Sequence, residues 1–433
     1  FNLRRAQRVI LDNGLTLLLL ENRRLPVVVA DAFVRHGRLL EPEDQVGVAH
    51  LTGALLDEGT EKHTGPEIAE LIEDVGGALD FTSTGGSVQV LSADRSLGLK
   101  LLFECLARAA FPEDACTRQK LRLLTEIDDQ ERQPEVKAQM AYDALVYGQH
   151  PFARPDLGTH QSVEKLTRAD VVAFHRRLFV PNNTILAVVG DFDGPKVIEE
   201  IRALSREFEW KRRELSPLHV PVAVMPQAFT QKILTMPRAE QLHFYMGHLG
   251  IRRSDPNYYK LLVMDYVLGT GPGFTDRLSA RMRDREGLAY TVSANITSSA
   301  TEEPGLFTCY IGTEPRNFAR VKQTFLEELN RLRQTEPALS EVEDAKKYLL
   351  GSLPFQLTTN ARIARQLLAI ERYSLGFDYF ERYQEAVAAV TPADIKRVAE
   401  QYLDPRRMVV VAAGPLGPDG NNLGPAPAAH GRE

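Results

Sequence analysis

LTRADVVAFHRRLFVPNNTILAVVGD, residues 166–191, returns later in the chain as VTPADIKRVAEQYLDPRRMVVVAAGP, residues 390–415. The two stretches align without a gap. Thr167, Ala169, Asp170, Pro181 and Gly190 meet Thr391, Ala393, Asp394, Pro405 and Gly414. Each copy opens with Thr-x-x-Asp, whose hydroxyl and carboxylate can cap the first turn of a helix. A proline then breaks the chain, and a β-branched run predicts a strand. Each copy closes a stretch of similar length. The sequence therefore predicts two homologous halves, residues 1–205 and 226–415, joined by a charged and then proline-containing linker at 206–225. The tail, 416–433, is rich in Pro, Gly and Asn and is expected to be disordered.

Strands and helices mix within each half. RVILDNGLTLLLLEN reads as a hairpin turning at Asn13-Gly14, and PVVVADAFVRHG as a further strand. GPEIAELIEDVGG predicts a helix, followed by a hairpin and two amphipathic helices, residues 96–111 and 114–130. In the second half, QKILTM and HFYMGHLGI read as strands and NYYKLLVMDYVLG as a helix. GLAYTVSANIT and LFTCYIG follow as a strand pair, and long helices occupy 316–375. The class is α+β, an antiparallel sheet covered by helices, built twice.

At 433 residues the chain exceeds one ordinary core. A net charge of −6 and the lack of a basic block argue against nucleic acid as a partner. No apolar run approaches the roughly 18 residues of a membrane span. Cys105, Cys116 and Cys309 form no CxxC pair, which argues against thiolate zinc, while a single disulfide stays open. The chain starts at Phe1, so a targeting peptide is allowed before it. A periplasmic compartment is expected over a cytoplasmic one.

GVAHLTGALLDEGT, Gly47 to Thr60, predicts a helix carrying His50. In the pattern H-x-x-E-H, two histidines one turn apart bind zinc and the glutamate serves as general base. Here the positions three and four beyond His50 hold Gly53 and Ala54. The Gly-x-Ala-His start and the Glu58-Gly59-Thr60 end nevertheless resemble the pitrilysin/insulinase-type metallopeptidases. The likeness extends over nearly the whole chain, through Gly37, GPEIAELIEDVGG and both repeat copies. It implies a third-ligand position at Glu126, in RLLTEIDD. His50 and Glu126 make two ligands, below the three that a catalytic zinc uses, and glycine and alanine neither bind metal nor move a proton. A mid-helix glycine costs about 1 kcal/mol against alanine, which predicts a less rigid helix. No catalytic zinc is expected in this chain. The bland alternatives are a partly buried His50 bonded to a neighbour and a solvent-facing Glu126. His36, His243 and His248 receive no function.

In RDREGLAY, Arg283 and Tyr290 stand seven apart. The resemblance implies that they bind substrate. A tyrosine hydroxyl can donate to the oxyanion formed at a peptide carbonyl, and an arginine fork can hold a substrate carbonyl or carboxylate. From the residues alone, Arg283 is equally a surface arginine on a helix Phe274–Arg283. Tyr290 alternates with Leu288, Val292 and Ile296, an apolar set. GTGPG lacks the GK[ST] of a phosphate loop. Taken together, the resemblance implies the non-catalytic subunit of a heterodimeric zinc peptidase. Its partner would be a homologous H-x-x-E-H subunit holding the zinc, and its substrate an extended or unfolded peptide, with no cofactor in this chain. The alternatives are a structural subunit resembling the core proteins of bc1 complexes, a homodimeric peptide-binding protein, and a residual metalloenzyme using His50 and Glu126.

Overall fold

The computed structural model describes residues 3–215, 217–289 and 291–424. In chain order the first 220 residues give β1 (Gln7–Ile10), β2 (Thr16–Glu21), β3 (Val27–Val34), α1 (Val48–Gly53), α2 (Gly65–Glu73), β4 (Ala78–Thr82), β5 (Gly85–Leu91), α3 (Arg95–Arg108), α4 (Glu113–Arg132), α5 (Pro134–Tyr147), α6 (His160–Lys165), α7 (Arg168–Leu178), β6 (Thr184–Gly190) and α8 (Gly194–Glu207). The remainder gives β7 (Thr230–Thr235), β8 (Leu242–Leu249), α9 (Tyr258–Leu268), β9 (Val292–Asn295), β10 (Leu306–Thr313), α10 (Phe318–Gln334), α11 (Leu339–Ser352), α12 (Asn360–Arg372), α13 (Tyr379–Ala388), α14 (Pro392–Tyr402) and β11 (Val409–Gly414).

The two repeat copies fold alike. Thr167 and Thr391 each accept from the amide three residues on, while Asp170 and Asp394 close the capping boxes of α7 and α14. Short 3₁₀ turns at Pro181–Asn183 and Pro405–Arg407 then lead into β6 and β11, which are buried along their whole length. Both strands sit inside their sheets. The first sheet runs β1-β2-β6-β3-β5-β4 and the second β7-β11-β8-β10-β9. The expectation of antiparallel sheets needs one correction in each. β6 pairs in parallel with β2, and β11 with β7. A parallel pair needs a long crossover, and the intervening helices supply it.

The compact units are discontinuous, unlike the contiguous spans 1–205 and 226–415. One comprises Phe1–Asp128, Arg154–Val220 and Leu353–Tyr379; the other Asp129–Ala153, Pro221–Ser352 and Phe380–Glu433. The cause is a reciprocal exchange of helices. α5 leaves the first half and covers β8 and β11 of the second sheet. Its Tyr142 is buried in that core, stacks on Tyr245 and donates its hydroxyl to the Phe307 carbonyl at 2.6 Å. α12 leaves the second half and covers β3 and β6 of the first sheet. There Asn360 donates to the Val27 carbonyl at 3.1 Å, and Glu371 pairs with Arg8 at 2.8 Å.

The linker and tail also depart from expectation at their starts. Phe208 and Trp210, placed in the linker 206–225, are buried in the first core, and the Trp210 indole donates to the Phe179 carbonyl at 2.9 Å. Residues 416–424 are ordered, because Leu416 is buried and the Gly417 amide turns back to the Asn421 carbonyl at 2.8 Å. The rest of the tail lies outside the described residues. All three cysteines are free and buried, so the disulfide left open by the sequence is not formed. No helix among the described residues is long and apolar enough to cross a membrane.

Candidate functional site

The helix expected over Gly47 to Thr60 is shorter than its sequence suggests: α1 stops at Gly53, followed by turns. Gly53 therefore ends the helix and does not soften its middle. The start of α1 is fixed by a residue that the pattern did not single out. Glu41, 6% exposed, accepts from the Gly47 amide at 3.0 Å and the Ala49 amide at 2.8 Å. A carboxylate there satisfies two otherwise orphaned donors and complements the helix dipole. Burial pushes its pKa up to about 7 against the pull of those amides. Glu41→Ala leaves two buried donors unmet, and at upwards of about 1 kcal/mol each this is expected to destabilise the fold by about 2–3 kcal/mol. Glu41→Gln, which keeps an acceptor oxygen, should lose less than half of that. Denaturant unfolding of the three chains measures it, and equal midpoints would remove the cap from the account.

His50 is half-buried on α1. Burial lowers its pKa, while Glu126 and Asp156 pull the other way. The hydrogen-bonded neighbour expected for its imidazole is not found among the described residues. The Ala54 amide donates to the His50 carbonyl at 3.0 Å, so the two residues still stand one turn apart on one face. His50, Ala54 and Glu126 line a cavity of about 390 Å³, together with Asp57, Glu58 and Arg122. Glu126 sits exposed on α4. Glu58 is engaged by Arg118 at 2.6 Å and also by Gln119. Burial raises the Asp57 pKa, and the charges of Glu58 and Asp80 add to the rise. Among the described residues no three His, Cys, Asp or Glu side chains converge as a ligand set. With Gly53 and Ala54 at the two missing places, the donors present do not fit a catalytic zinc.

Of the other predicted site residues, Arg283 belongs to the second unit. Arg283 lies half-buried in a π-helical turn, Ser279–Arg285, where an α-helix Phe274–Arg283 was expected. Such turns often mark functional positions. This one is braced by Arg281, which pairs with Glu286 at 2.9 Å, with Glu328 at 2.8 Å and with Glu327. Tyr290 lies outside the described residues. The strand expected from Gly287 begins only at Val292. Its far end is held by a buried acid that sequence reasoning missed. Asp265 accepts from the Ile296 amide at 2.9 Å, the Thr297 amide at 3.0 Å and the Thr297 hydroxyl at 2.6 Å.

A larger cavity, about 510 Å³, contains none of these residues. Two of its donors are already committed to carbonyls at and just beyond the end of α3. The buried His175 imidazole donates to the Leu106 carbonyl at 2.8 Å, and Arg168 to the Phe111 and Ala110 carbonyls at 2.6 and 2.8 Å. Burial lowers the His175 pKa to about 4, which keeps the ring neutral at physiological pH. The cavity is a junction of capped carbonyls.

Two half-repeats, each a mixed sheet covered by helices, with a metal-helix position in the first, define a peptidase-like architecture. Residues 18–160 match the description "Insulinase (Peptidase family M16)", and residues 165–349 match "Peptidase M16 inactive domain". The chain belongs to peptidase family M16, the insulinase family. It is 24% identical to the uncharacterized zinc protease YmxG of Bacillus subtilis over 83% of this chain and 86% of that one. It is likewise 24% identical to the non-peptidase homolog YmxG of Helicobacter pylori over 78% of each. A solved structure, the peptidase M16 inactive domain from Pseudomonas fluorescens, superposes with a TM-score of 0.87 at 27% identity, covering 95% of this chain and 98% of that one.

Proposed function

We propose that this chain is the non-catalytic, substrate-holding subunit of a two-subunit zinc peptidase. The observation that carries the proposal is the α1 cavity, which keeps His50 and Glu126 but has Ala54 where a second ligand would stand. Hydrolysis therefore falls to a homologous partner with an intact H-x-x-E-H helix, which brings the zinc. This chain contributes Arg283 and Tyr290 to the partner's substrate and offers β4 to an extended peptide. β4 is an edge strand of its sheet and touches α1, so an added strand would run beside the cavity. The match of residues 165–349 to the family's inactive domain supports the proposal.

The test is reconstitution. The chain is coexpressed with an H-x-x-E-H homologue from the same genome, and the complex is sized and assayed on an unstructured peptide. We expect a mixed dimer, with chelator-sensitive cleavage that needs both chains. Cleavage by this chain alone, or a partner indifferent to its presence, would overturn the proposal.

A further inference from the structure

We infer that the two lost positions on α1 are not equivalent: the general-base position is closed by backbone, whereas the second-ligand position is open. Gly53 and Ala54 are neighbours in sequence with different surroundings. A Cβ built on Gly53 would lie 2.4 Å from the Thr82 carbonyl carbon, 2.5 Å from the Ser83 amide nitrogen and 2.6 Å from the Thr82 oxygen. All three are backbone atoms of the β4–β5 turn. Non-bonded carbon atoms settle about 3.5–4 Å apart. Even one methyl group therefore requires the turn to move, and a glutamate requires far more.

The turn is held in place from its other sides. The Val34 amide donates to the Thr84 carbonyl at 2.8 Å. A Cβ on Gly37 would stand 3.2 Å from the Ser83 oxygen, and one on Gly85 would stand 2.0 Å from the Ala32 oxygen. Gly37 and Gly53 thus form a seat into which the turn is pressed, and Gly85 lets the same hairpin close onto β3. Gly53 is helical, so its backbone conformation does not call for glycine; the close approach does. Ala54 instead faces the cavity with His50 and Glu126, where a longer side chain has room.

The turn has therefore taken over the general base's place and ties the edge strand β4 to α1. A metal site is one substitution away, because Ala54→His would add a third ligand to His50 and Glu126. A proton-transferring carboxylate is not, because its place is filled. The two halves of the lost chemistry separate, and none of this depends on a partner subunit.

Three full-length variants test it. A helical Gly→Ala exchange ordinarily stabilises, by roughly 2–4 °C for a unit of this size. For Gly53→Ala we expect the opposite, a fall of about 3–10 °C in the unfolding midpoint from overpacking. Hydrogen exchange should quicken at Val34 and residues 82–86 and stay unchanged in α14. Ala54→His should keep the wild-type midpoint and gain the visible absorption of four-coordinate cobalt on titration with Co²⁺, which the wild type lacks. Gly53→Glu combined with Ala54→His should melt below Ala54→His alone and cleave no peptide. An insoluble Gly53→Ala chain beside a soluble Ala54→His chain counts as the same result as the fall in midpoint. A Gly53→Ala chain as stable as wild type or more so, a metal-blind Ala54→His chain, or a stable double variant that cleaves peptide would each overturn the inference.

Discussion

Turnover by the assembled peptidase is expected to fall about a hundredfold when Tyr290 of this chain is replaced by phenylalanine, the size of effect seen when one oxyanion donor is removed. The exchange deletes one hydroxyl and keeps the ring, so a purely packing role for Tyr290 would leave the rate unchanged. In the proposed role the hydroxyl would meet negative charge only as the carbonyl is attacked, so the loss should appear in kcat with KM nearly constant. Arg283→Ala should act differently. A guanidinium that grips a substrate carbonyl or carboxylate binds ground state and transition state alike, so its removal should raise KM more than it lowers kcat. Lysine should rescue it poorly, since one ammonium cannot reproduce the planar fork. Steady-state kinetics on the purified complex, with sizing to show that assembly is intact, separate these outcomes. An unchanged kcat in Tyr290→Phe would remove the tyrosine from the chemistry.

A second large effect is expected at Asp265, far from any catalytic role. Asp265→Ala leaves the Ile296 and Thr297 amides and the Thr297 hydroxyl without their acceptor in a buried site. Each unmet buried donor costs at least about 1 kcal/mol, so the three together are expected to cost about 3–4 kcal/mol, with local rearrangement to other acceptors holding the sum near that lower bound. The loss should also depend on pH. Burial raises the Asp265 pKa to about 7, while the unfolded carboxyl titrates near 4. Between those values the folded state binds more protons than the unfolded one. The stability that this group contributes is thus fully present below about pH 4 and shrinks as pH rises to 7. The gap between wild type and Asp265→Ala in denaturant unfolding should be wider at pH 5 than at pH 8. A gap that widens towards pH 8 would contradict the burial of this acid. Asn is a poor substitute, because its amide nitrogen would face a donor already pointing at it.

What was legible in the sequence was local. The halves announce themselves through Thr167-x-x-Asp170 and Thr391-x-x-Asp394, because a capping box needs only four consecutive residues. The spacing of His50 and Ala54 is likewise a statement about one helical turn. What escaped was non-local. Nothing around Glu41 says that its carboxylate reaches the amides of Gly47 and Ala49, nor does NYYKLLVMDYVLG mark Asp265 as the anchor of Thr297. Helix propensity says nothing of the surroundings of Gly53, which are set by a turn some thirty residues further on. Relatives named zinc protease stand at 24–29% identity and one named non-peptidase homolog at 24%, so a name at this distance does not decide the chemistry. The contacts of Gly53 bear on that choice more directly, since they describe the space in which a base would have to sit.

The exchange of α5 and α12 has a consequence for biogenesis. The sheet completed at β6 has all its strands by residue 190, but the helix that covers β3 and β6 ends at residue 372. A ribosome adds about 5–20 residues per second. The first sheet must therefore wait many seconds, one face bare, for a helix encoded in the opposite half. α5, made early, waits in turn for the strands it will shield. Neither half encodes the whole cover of its own sheet, and separating the gene between them would yield two polypeptides that each carry the other's missing wall.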